Sequence, residues 1–83
     1  MNTWAVYILE CKDKTLYTGI TNNLERRIQQ HESGQGAKYT KGRGPFRIIY
    51  TESCEDQSMA LKREHQIKQL TKQGKLDLIT PSN

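Results

Sequence analysis

The chain has 83 residues, of which 13 are Lys or Arg and nine are Asp or Glu, so its net charge is +4. This length predicts a single domain over residues 1–83, with an ordered core at about residues 4–79, and it excludes a second domain. The basic excess is a weak indication of a polyanionic partner. The sequence has neither the pattern of a signal peptide nor the roughly 18 consecutive apolar residues of a membrane span, so we expect a cytoplasmic protein.

The first part of the chain predicts a β-hairpin followed by a helix. Residues 4–11 and 16–20 are rich in β-branched and aromatic side chains and predict two strands, joined by a turn at Lys12–Thr15. Asn22 and Glu25 have the spacing of a helix capping box, and Gly34 is a typical helix terminator. We therefore expect a helix between Asn22 and Gly34.

The second part of the chain predicts a loop, a strand and two helices. Residues 34–45 contain four glycines and a proline and predict the loop, and residues 46–52 predict the third strand. Asp56 is positioned to cap a helix at about 57–70, and residues 71–79 predict a short final helix that Gly74 weakens. The order β-β-α-β-α-α predicts an α+β fold, with a three-stranded antiparallel sheet flanked by helices.

Tyr7 and Tyr17 lie on the two strands of the hairpin. Tyrosine is common in strands, so the pair is explained either by amphipathic packing or by chemistry that needs both phenols. The phenols share a face only if paired residue numbers sum to an even value. A four-residue loop at Lys12–Thr15 would pair Cys11 with Leu16 and separate the tyrosines. We expect an even register or a bulge.

The first helix carries two unusual polar residues on its apolar side. Arg27 and His31 fall on the stripe defined by Leu24 and Ile28 at helical spacing. An inward Arg either reaches past the edge of the core or points at an anion. A histidine in such a place is commonly structural, but it can also exchange a proton near neutral pH. Both explanations remain open at this point.

The second helix places a carboxylate on its apolar stripe, which runs through Ala60, Glu64 and Ile67. A buried carboxylate needs a cation, hydrogen bonds or access to solvent. Glu64 is therefore either half of an ion pair, for example with Arg63 or Lys68, or a metal ligand. The sequence offers no paired-carboxylate motif for a two-metal nuclease and no zinc-ligand spacing of His and Cys. It also has no serine-hydrolase or phosphate-loop motif.

The loop and the strand that follows it are basic. Four cations surround one aromatic residue without any acid between them, and glycines separate them: Lys38, Tyr39, Lys41, Arg43 and Arg47. Such a segment suits contacts with phosphates, and the tyrosine suits stacking on a base. The alternative is a loop that is simply solvated.

Four of these positions occur in motifs that resemble the GIY-YIG endonuclease superfamily. They are Tyr7 in "AVY", Tyr17 in "YTG", Arg27 in "NLERRIQQH" and Glu64 in "ALKREHQI". The resemblance extends from about residue 4 to residue 79 and is greatest to small, single-domain bacterial members. It implies a hydrolase that cleaves phosphodiester bonds of DNA and that uses one divalent cation, Mg²⁺ or Mn²⁺. RNA is the other nucleic-acid partner that we consider.

The resemblance also implies a role for each matched residue. Tyr7 and Tyr17 match the motif tyrosines, Arg27 the arginine that contacts the scissile phosphate, and Glu64 the metal ligand, while His31 matches a histidine of several members. In this scheme one tyrosine is the general base, and we expect Arg27 and the metal to lower its pKa from about 10 toward 7. The sequence does not decide which tyrosine acts, and His31 is an alternative base or acid.

The chain departs from the superfamily pattern at several points. Ala5, Val6 and Thr18 replace the apolar or small residues of the two tyrosine motifs, and no asparagine occurs between Asn23 and Asn83, where many members have one. The alternative function is a non-catalytic adaptor of the same fold that binds nucleic acid. If the chain is an enzyme, we expect structure-specific cleavage or direction by a protein partner in DNA repair or processing. The oligomeric state is left open.

Overall fold

A computed structural model describes residues 3–79 of the chain. Its elements follow the predicted order β-β-α-β-α-α, and the α+β architecture is confirmed. The strands and helices are β1 (Trp4–Glu10), β2 (Leu16–Thr21), α1 (Leu24–Glu32), β3 (Arg47–Cys54), α2 (Gln57–Lys68) and α3 (Lys72–Ile79). None of these helices is both long and apolar enough to cross a membrane.

The sheet has the strand order β2-β1-β3, and both pairs of neighbours are antiparallel. Tyr7 lies opposite Gly19, and Leu9 lies opposite Tyr17. Each of these pairs sums to 26, so the even register that we predicted is confirmed. Because paired residues share a face, Tyr7 and Tyr17 lie on the same side of the sheet.

The hairpin turn explains this register. The N–H of Cys11 donates to the carbonyl of Thr15 over 2.9 Å, so the loop has three residues and not the four expected at Lys12–Thr15. Lys14 adopts a left-handed conformation with φ of 70°. A three-residue hairpin loop uses such a residue to form a bulge, which changes the pairing by one position.

The hydrophobic core lies on the face of the sheet opposite the tyrosines. Val6 and Ile8 of β1 are fully buried against Ala60 and Ile67 of α2, together with Cys54. Alternation along β1 then directs Tyr7 and Leu9 to the other face, and both of these residues are also fully buried. The central strand is therefore covered on both sides.

The ends of most elements differ from the sequence predictions by one or two residues. Asn23, not Asn22, caps α1, because its side-chain oxygen accepts the N–H of Arg26 at 3.1 Å. Asp56 caps α2 as predicted, but α2 ends at Lys68 rather than at residue 70. The third strand covers 47–54 instead of 46–52. The register shift between Ile8 and Leu9 alters the pairing of β1 with β3. Helix ends commonly differ by one or two residues from a sequence prediction.

Replacing Lys14 with Gly tests the origin of the register. A left-handed conformation costs an L-residue about 1 kcal/mol relative to glycine, and the exposed ion pair of Lys14 with Glu10 at 3.9 Å contributes little. We expect Lys14→Gly to raise the free energy of unfolding by about 0.5–1 kcal/mol in urea denaturation. Lys12→Gly, in the same exposed turn, is the matched control and should lower it. Destabilisation by both variants would contradict this account of the turn.

Candidate active site

A continuous set of hydrogen bonds joins α1 to the central strand and to the following loop. The hydroxyl of Tyr7 lies 2.7 Å from Nε2 of His31, and Nδ1 of His31 lies 2.8 Å from the hydroxyl of Thr40. The Nε of Arg27 donates to the hydroxyl of Tyr7 over 3.3 Å. Tyr7, His31 and Thr40 are at most 1% exposed, so the chain of bonds is closed to bulk water except at Arg27.

The direction of these bonds follows from counting hydrogens. Thr40 has one hydroxyl hydrogen, and the carbonyl of Ala37 lies 3.0 Å away as an acceptor. If that hydrogen went to Nδ1 instead, His31 would donate from Nε2, and the hydrogen of Tyr7 would have no acceptor among residues 3–79. A buried unpaired donor costs about 1–3 kcal/mol. We therefore assign the tautomer with hydrogen on Nδ1, in which Tyr7 donates to Nε2.

Two glycines leave space for these side chains. A Cβ at Gly19 would lie 2.6 Å from the hydroxyl of Tyr7, and a Cβ at Gly36 would lie 2.3 Å from Nδ1 of His31. Real Cβ atoms do not approach other atoms so closely, so any side chain at either position would displace the ring beside it. The phenol of Tyr7 therefore lies across Gly19 of β2, and the loop backbone at Gly36 lies directly against His31.

Tyr17 and Tyr39 extend the site outward from this buried set. The ring of Tyr17 is 6.3 Å from that of Tyr7 and 5.2 Å from that of His31, measured between centroids. Tyr39, which is 42% exposed, stacks on Tyr17 at 6.0 Å with an interplanar angle of 24°. The guanidinium of Arg43 lies over the ring of Tyr39, 4.5 Å from its centroid. An aromatic surface capped by a cation thus leads from the solvent to the phenols.

Burial sets the protonation states of the two innermost groups. Burial, together with the charge of Arg27, lowers the pKa of His31 to about 4, so its imidazole is neutral at pH 7. Burial raises the pKa of Tyr7 above its usual 10, and the lowering by Arg27 does not compensate. Arg27 alone therefore does not lower the pKa of Tyr7 toward 7, because the loss of solvation outweighs the effect of this cation.

Arg27 retains its positive charge in this setting. Burial opposes that charge, but interactions with the phenols of Tyr7 and Tyr17 outweigh it and raise the pKa of Arg27. Its Nη1 also donates to Gln30 over 3.0 Å. The half-buried guanidinium is thus held at the opening of the site with its charge intact, which is the arrangement that contact with an anion requires.

Glu64 lies near this site but outside the hydrogen-bonded set. Its negative charge is one of the influences that raise the pKa of Tyr7. Its side chain is 19% exposed and pairs with Lys68 at 3.6 Å, which is the ion-pair explanation considered above. Pairs of this i, i+4 kind, with one partner half exposed, contribute only about 0.3–0.5 kcal/mol. Arg63, the other partner considered, pairs with Glu52 instead.

The donor set at Glu64 fits Mg²⁺ or Mn²⁺ and does not fit a metal that needs several protein ligands. Among residues 3–79, no three His, Cys, Asp or Glu side chains cluster in a way that could hold a metal ion. Mg²⁺ commonly binds through one or two carboxylates and completes its shell with water and phosphate oxygens. A single, weakly paired carboxylate such as Glu64 meets that requirement.

The structure places acids beside two of the predicted nucleic-acid-binding cations. Arg43 forms a short ion pair with Asp13 of the hairpin turn, and Arg47 pairs with Glu10 of β1 at 3.1 Å. These acids come from the hairpin, because the loop itself contains no acid. The two lysines of the predicted nucleic-acid-binding segment, Lys38 and Lys41, are exposed and have no ion-pair partner within residues 3–79.

Sequence reasoning missed the residues that shape the site without taking part in a motif. Thr40, Gly36 and Gly19 carry no chemical signal alone, and Gly19 was noted only as a letter of the "YTG" motif. One available clue was the four glycines of the loop, because a glycine is required where a backbone lies against another group. The hydroxyl of Thr18 is buried and has no hydrogen-bond partner within residues 3–79, and nothing in the structure explains it.

Comparison with known proteins identifies the family. A sequence model of the GIY-YIG catalytic domain matches residues 3–77, and the chain therefore belongs to the GIY-YIG family. It is 57% identical over 74 residues to UPF0213 protein OB0043 of Oceanobacillus iheyensis, covering 89% of this chain and 86% of that protein. It is 50% identical over 74 residues to UPF0213 protein NP_0776A of Natronomonas pharaonis, covering 89% and 87%.

Solved structures agree with the fold. The solution NMR structure of UPF0213 protein BH0048 from Bacillus halodurans is 47% identical, covers 92% of this chain and 81% of its own, and superposes with a TM-score of 0.60. The solution NMR structure of the protein EF2693 from E. faecalis is 43% identical, with coverages of 89% and 80% and the same TM-score. The predicted superfamily and its small single-domain branch are thus confirmed.

Acid should destabilise the protein through His31. The unfolded chain binds a proton on His31 below its ordinary pKa of 6.5, whereas the folded protein resists doing so until about 4. The free energy of unfolding should therefore be unaffected above pH 6.5 and fall by about 3 kcal/mol between pH 6.5 and 4. Urea titrations at several pH values measure this slope.

His31→Gln, which keeps a polar planar side chain that does not titrate, should flatten the stability profile in this window. Exposed His65, replaced in the same way, is the matched control and should keep the wild-type slope. Hydrogen bonds with Thr15 are the chief cause of the lowered pKa of the Asp13 carboxylate. The stability that this carboxylate contributes is therefore lost only below this pH window. An unchanged slope in His31→Gln would contradict the neutral, buried imidazole.

Proposed function

We propose that this chain is a nuclease that hydrolyses phosphodiester bonds of DNA and depends on a divalent cation. The observation that carries the proposal is the hydrogen-bonded series of Arg27, Tyr7 and His31, in which a cation, a phenol and a neutral imidazole follow one another. Structural packing alone does not require a buried phenol to donate to a neutral histidine while accepting from an arginine. A reaction that binds an anion and moves a proton needs such a series.

Substrate binding begins with phosphate contacts. Arg27 offers its charge at the opening of the site and neutralises the negative charge that builds on the phosphate in the transition state. Lys38 and Lys41 are the exposed cations that track the flanking phosphates, and the open face around Tyr39 suits stacking with a base. Arg43 and Arg47 must exchange their acidic partners for phosphates before they contribute. We infer that the lysines supply most of the sequence-independent affinity.

Glu64 is the residue that holds the cation in this proposal. Glu64 would hold Mg²⁺ or Mn²⁺, which would supply charge stabilisation to the phosphate and to the leaving oxygen. The carboxylate can be freed for this purpose at small cost, because its pair with Lys68 is weak. Lys68 is half exposed and would move into solvent when Glu64 holds a cation.

Tyr7 and His31 handle the proton. Because a phenolate at Tyr7 is disfavoured by burial, we infer that Tyr7 passes its hydrogen to Nε2 of His31 as it accepts one from the attacking water. The phenol then remains neutral, and the proton ends on the imidazole. This geometry favours Tyr7 over Tyr17 as the group that acts on water, since Tyr17 contacts His31 only through its ring. Tyr17 instead interacts with Arg27 and orients it.

One observation favours the alternative function, a non-catalytic adaptor that binds nucleic acid. Tyr7 is fully buried, so a water molecule reaches its hydroxyl only when Arg27 moves toward a bound phosphate. An adaptor would never need that movement.

Incubating the protein with single-stranded, duplex, flap and branched DNA, with and without Mg²⁺ or Mn²⁺, distinguishes the two functions, because an adaptor retains DNA without cutting it.

Glu64→Gln tests the metal site. The change keeps the size of the side chain and removes the charge that a cation needs, so we expect cleavage to fall by at least about 10²-fold while DNA binding persists. The free energy of unfolding without metal should change by no more than about 0.5 kcal/mol. Mg²⁺ should raise the melting temperature of the wild type and not that of the variant.

Lys68→Gln is the matched control for this experiment, since it breaks the same ion pair from the other side. It should leave cleavage close to the wild-type rate. If Lys68→Gln loses cleavage as severely as Glu64→Gln, the pair is structural and Glu64 is not the metal ligand.

Salt dependence tests the basic loop. Replacing Lys38 or Lys41 with Ala should weaken DNA binding whatever the sequence, and it should reduce the slope of log K against log salt by about 0.9 on duplex or about 0.7 on single strands. Arg47→Ala should change the slope less, because Arg47 is already paired with Glu10. Fluorescence anisotropy across a salt series measures all three. Equal slopes in the three variants and the wild type would mean that the loop is only solvated.

A further inference from the structure

Thr40 is a fully buried polar residue in the middle of the basic loop. Its hydroxyl lies 2.8 Å from Nδ1 of His31, accepts the N–H of Ala37 over 3.3 Å, and donates to the carbonyl of Ala37 over 3.0 Å. A carbonyl cannot pass a proton onward. The hydroxyl is therefore not a route by which a proton leaves His31. Its function must lie in the hydrogen bond that it accepts from Nδ1 of His31.

We propose that Thr40 is a positioning residue that holds His31 in the tautomer with hydrogen on Nδ1, so that Nε2 is the acceptor for Tyr7. The catalytic consequence rests on the proposed nuclease function, whereas the tautomer itself does not. The other titratable or charged groups around the imidazole are Tyr7 on β1, Tyr17 on β2 and Arg27 on α1. None of these is hydrogen-bonded to Nδ1, so within residues 3–79 Thr40 is the hydrogen-bond partner that holds the hydrogen on that nitrogen.

The backbone around Thr40 is built for this contact. The N–H groups of Thr40 and Lys41 both donate to the carbonyl of Ala37 over 3.1 Å, which closes a tight turn around the hydroxyl. Gly36 lies directly against the imidazole on the same side. The turn that presents Lys41 to solvent is therefore the turn that fixes His31.

Histidine tautomers are measured directly by the imidazole ¹⁵N chemical shifts at pH 7, where a pKa of about 4 keeps His31 neutral. The experiment compares the wild type with Thr40→Val, which removes the hydroxyl at constant shape, and with Thr40→Ser, which keeps it. Wild type and Thr40→Ser should show a protonated Nδ1. Thr40→Val should show a mixture with a protonated Nε2. Thr40→Ala, which also lacks the hydroxyl, serves if the Val variant does not fold.

Cleavage measured on the same proteins connects the tautomer to the reaction. In Thr40→Val, kcat should fall tenfold or more with KM for DNA unchanged, because general acid–base transfer contributes about 10²–10⁴-fold. Thr40→Ser should restore both constants. A kcat that stays at the wild-type value while the tautomer changes overturns the catalytic part of the proposal.

The tautomer readout needs no nucleic acid, so its failure differs from failure of the proposed function. If the wild type carries its hydrogen on Nε2, or if the hydroxyl-deleted variants keep the wild-type tautomer, the positioning role of Thr40 is wrong whatever the enzyme does. If every variant and the wild type fail to cut DNA while the tautomer follows the hydroxyl, the positioning role stands and the nuclease proposal is wrong.

Discussion

The buried hydrogen bond between Tyr7 and His31 is the interaction on which the rest of the site depends. It joins the central strand to α1 across one face of the sheet, in a region where water does not compete for either partner. It requires Gly19 opposite Tyr7, since any side chain there would displace the phenol. The even register of the hairpin is thus a condition for the site. The left-handed residue Lys14 meets that condition in the turn.

The sequence predicted the six elements and their order because hydrophobic periods of 2 and 3.6 are local signals. The prediction that the tyrosines share a face followed from the assumption that both phenols take part in one site. The four-residue hairpin loop that the sequence indicated most directly was wrong. A lysine gives no indication that it will adopt φ of 70°. Asn22 and Asn23 are chemically equal candidates for the helix cap, so the choice of Asn23 depends on where the strand ends, which the pattern does not specify.

The candidate site was predictable where a polar residue fell on an apolar stripe, as Arg27, His31 and Glu64 do. It was not predictable where three-dimensional surroundings decide the outcome. The sign of the Tyr7 pKa shift depends on the loss of solvation, which a sequence does not reveal. The acids that pair with the loop arginines come from the hairpin, far away in the chain. Thr40 contributes by accepting one hydrogen bond, and threonine is too common for that to form a motif.

Arg27 connects substrate binding to the proton acceptor in the proposed reaction. Its positive charge is, after burial, the second cause of the low pKa of His31. In the free protein this charge keeps His31 a weak base. The Nε of Arg27 also donates to the hydroxyl of Tyr7, whose hydrogen the base accepts. A phosphodiester paired with Arg27 would cancel part of that field and raise the pKa of His31, while burial, the larger cause, would still hold it below its ordinary value. In the proposed reaction the same contact would therefore bind the anion and strengthen the base.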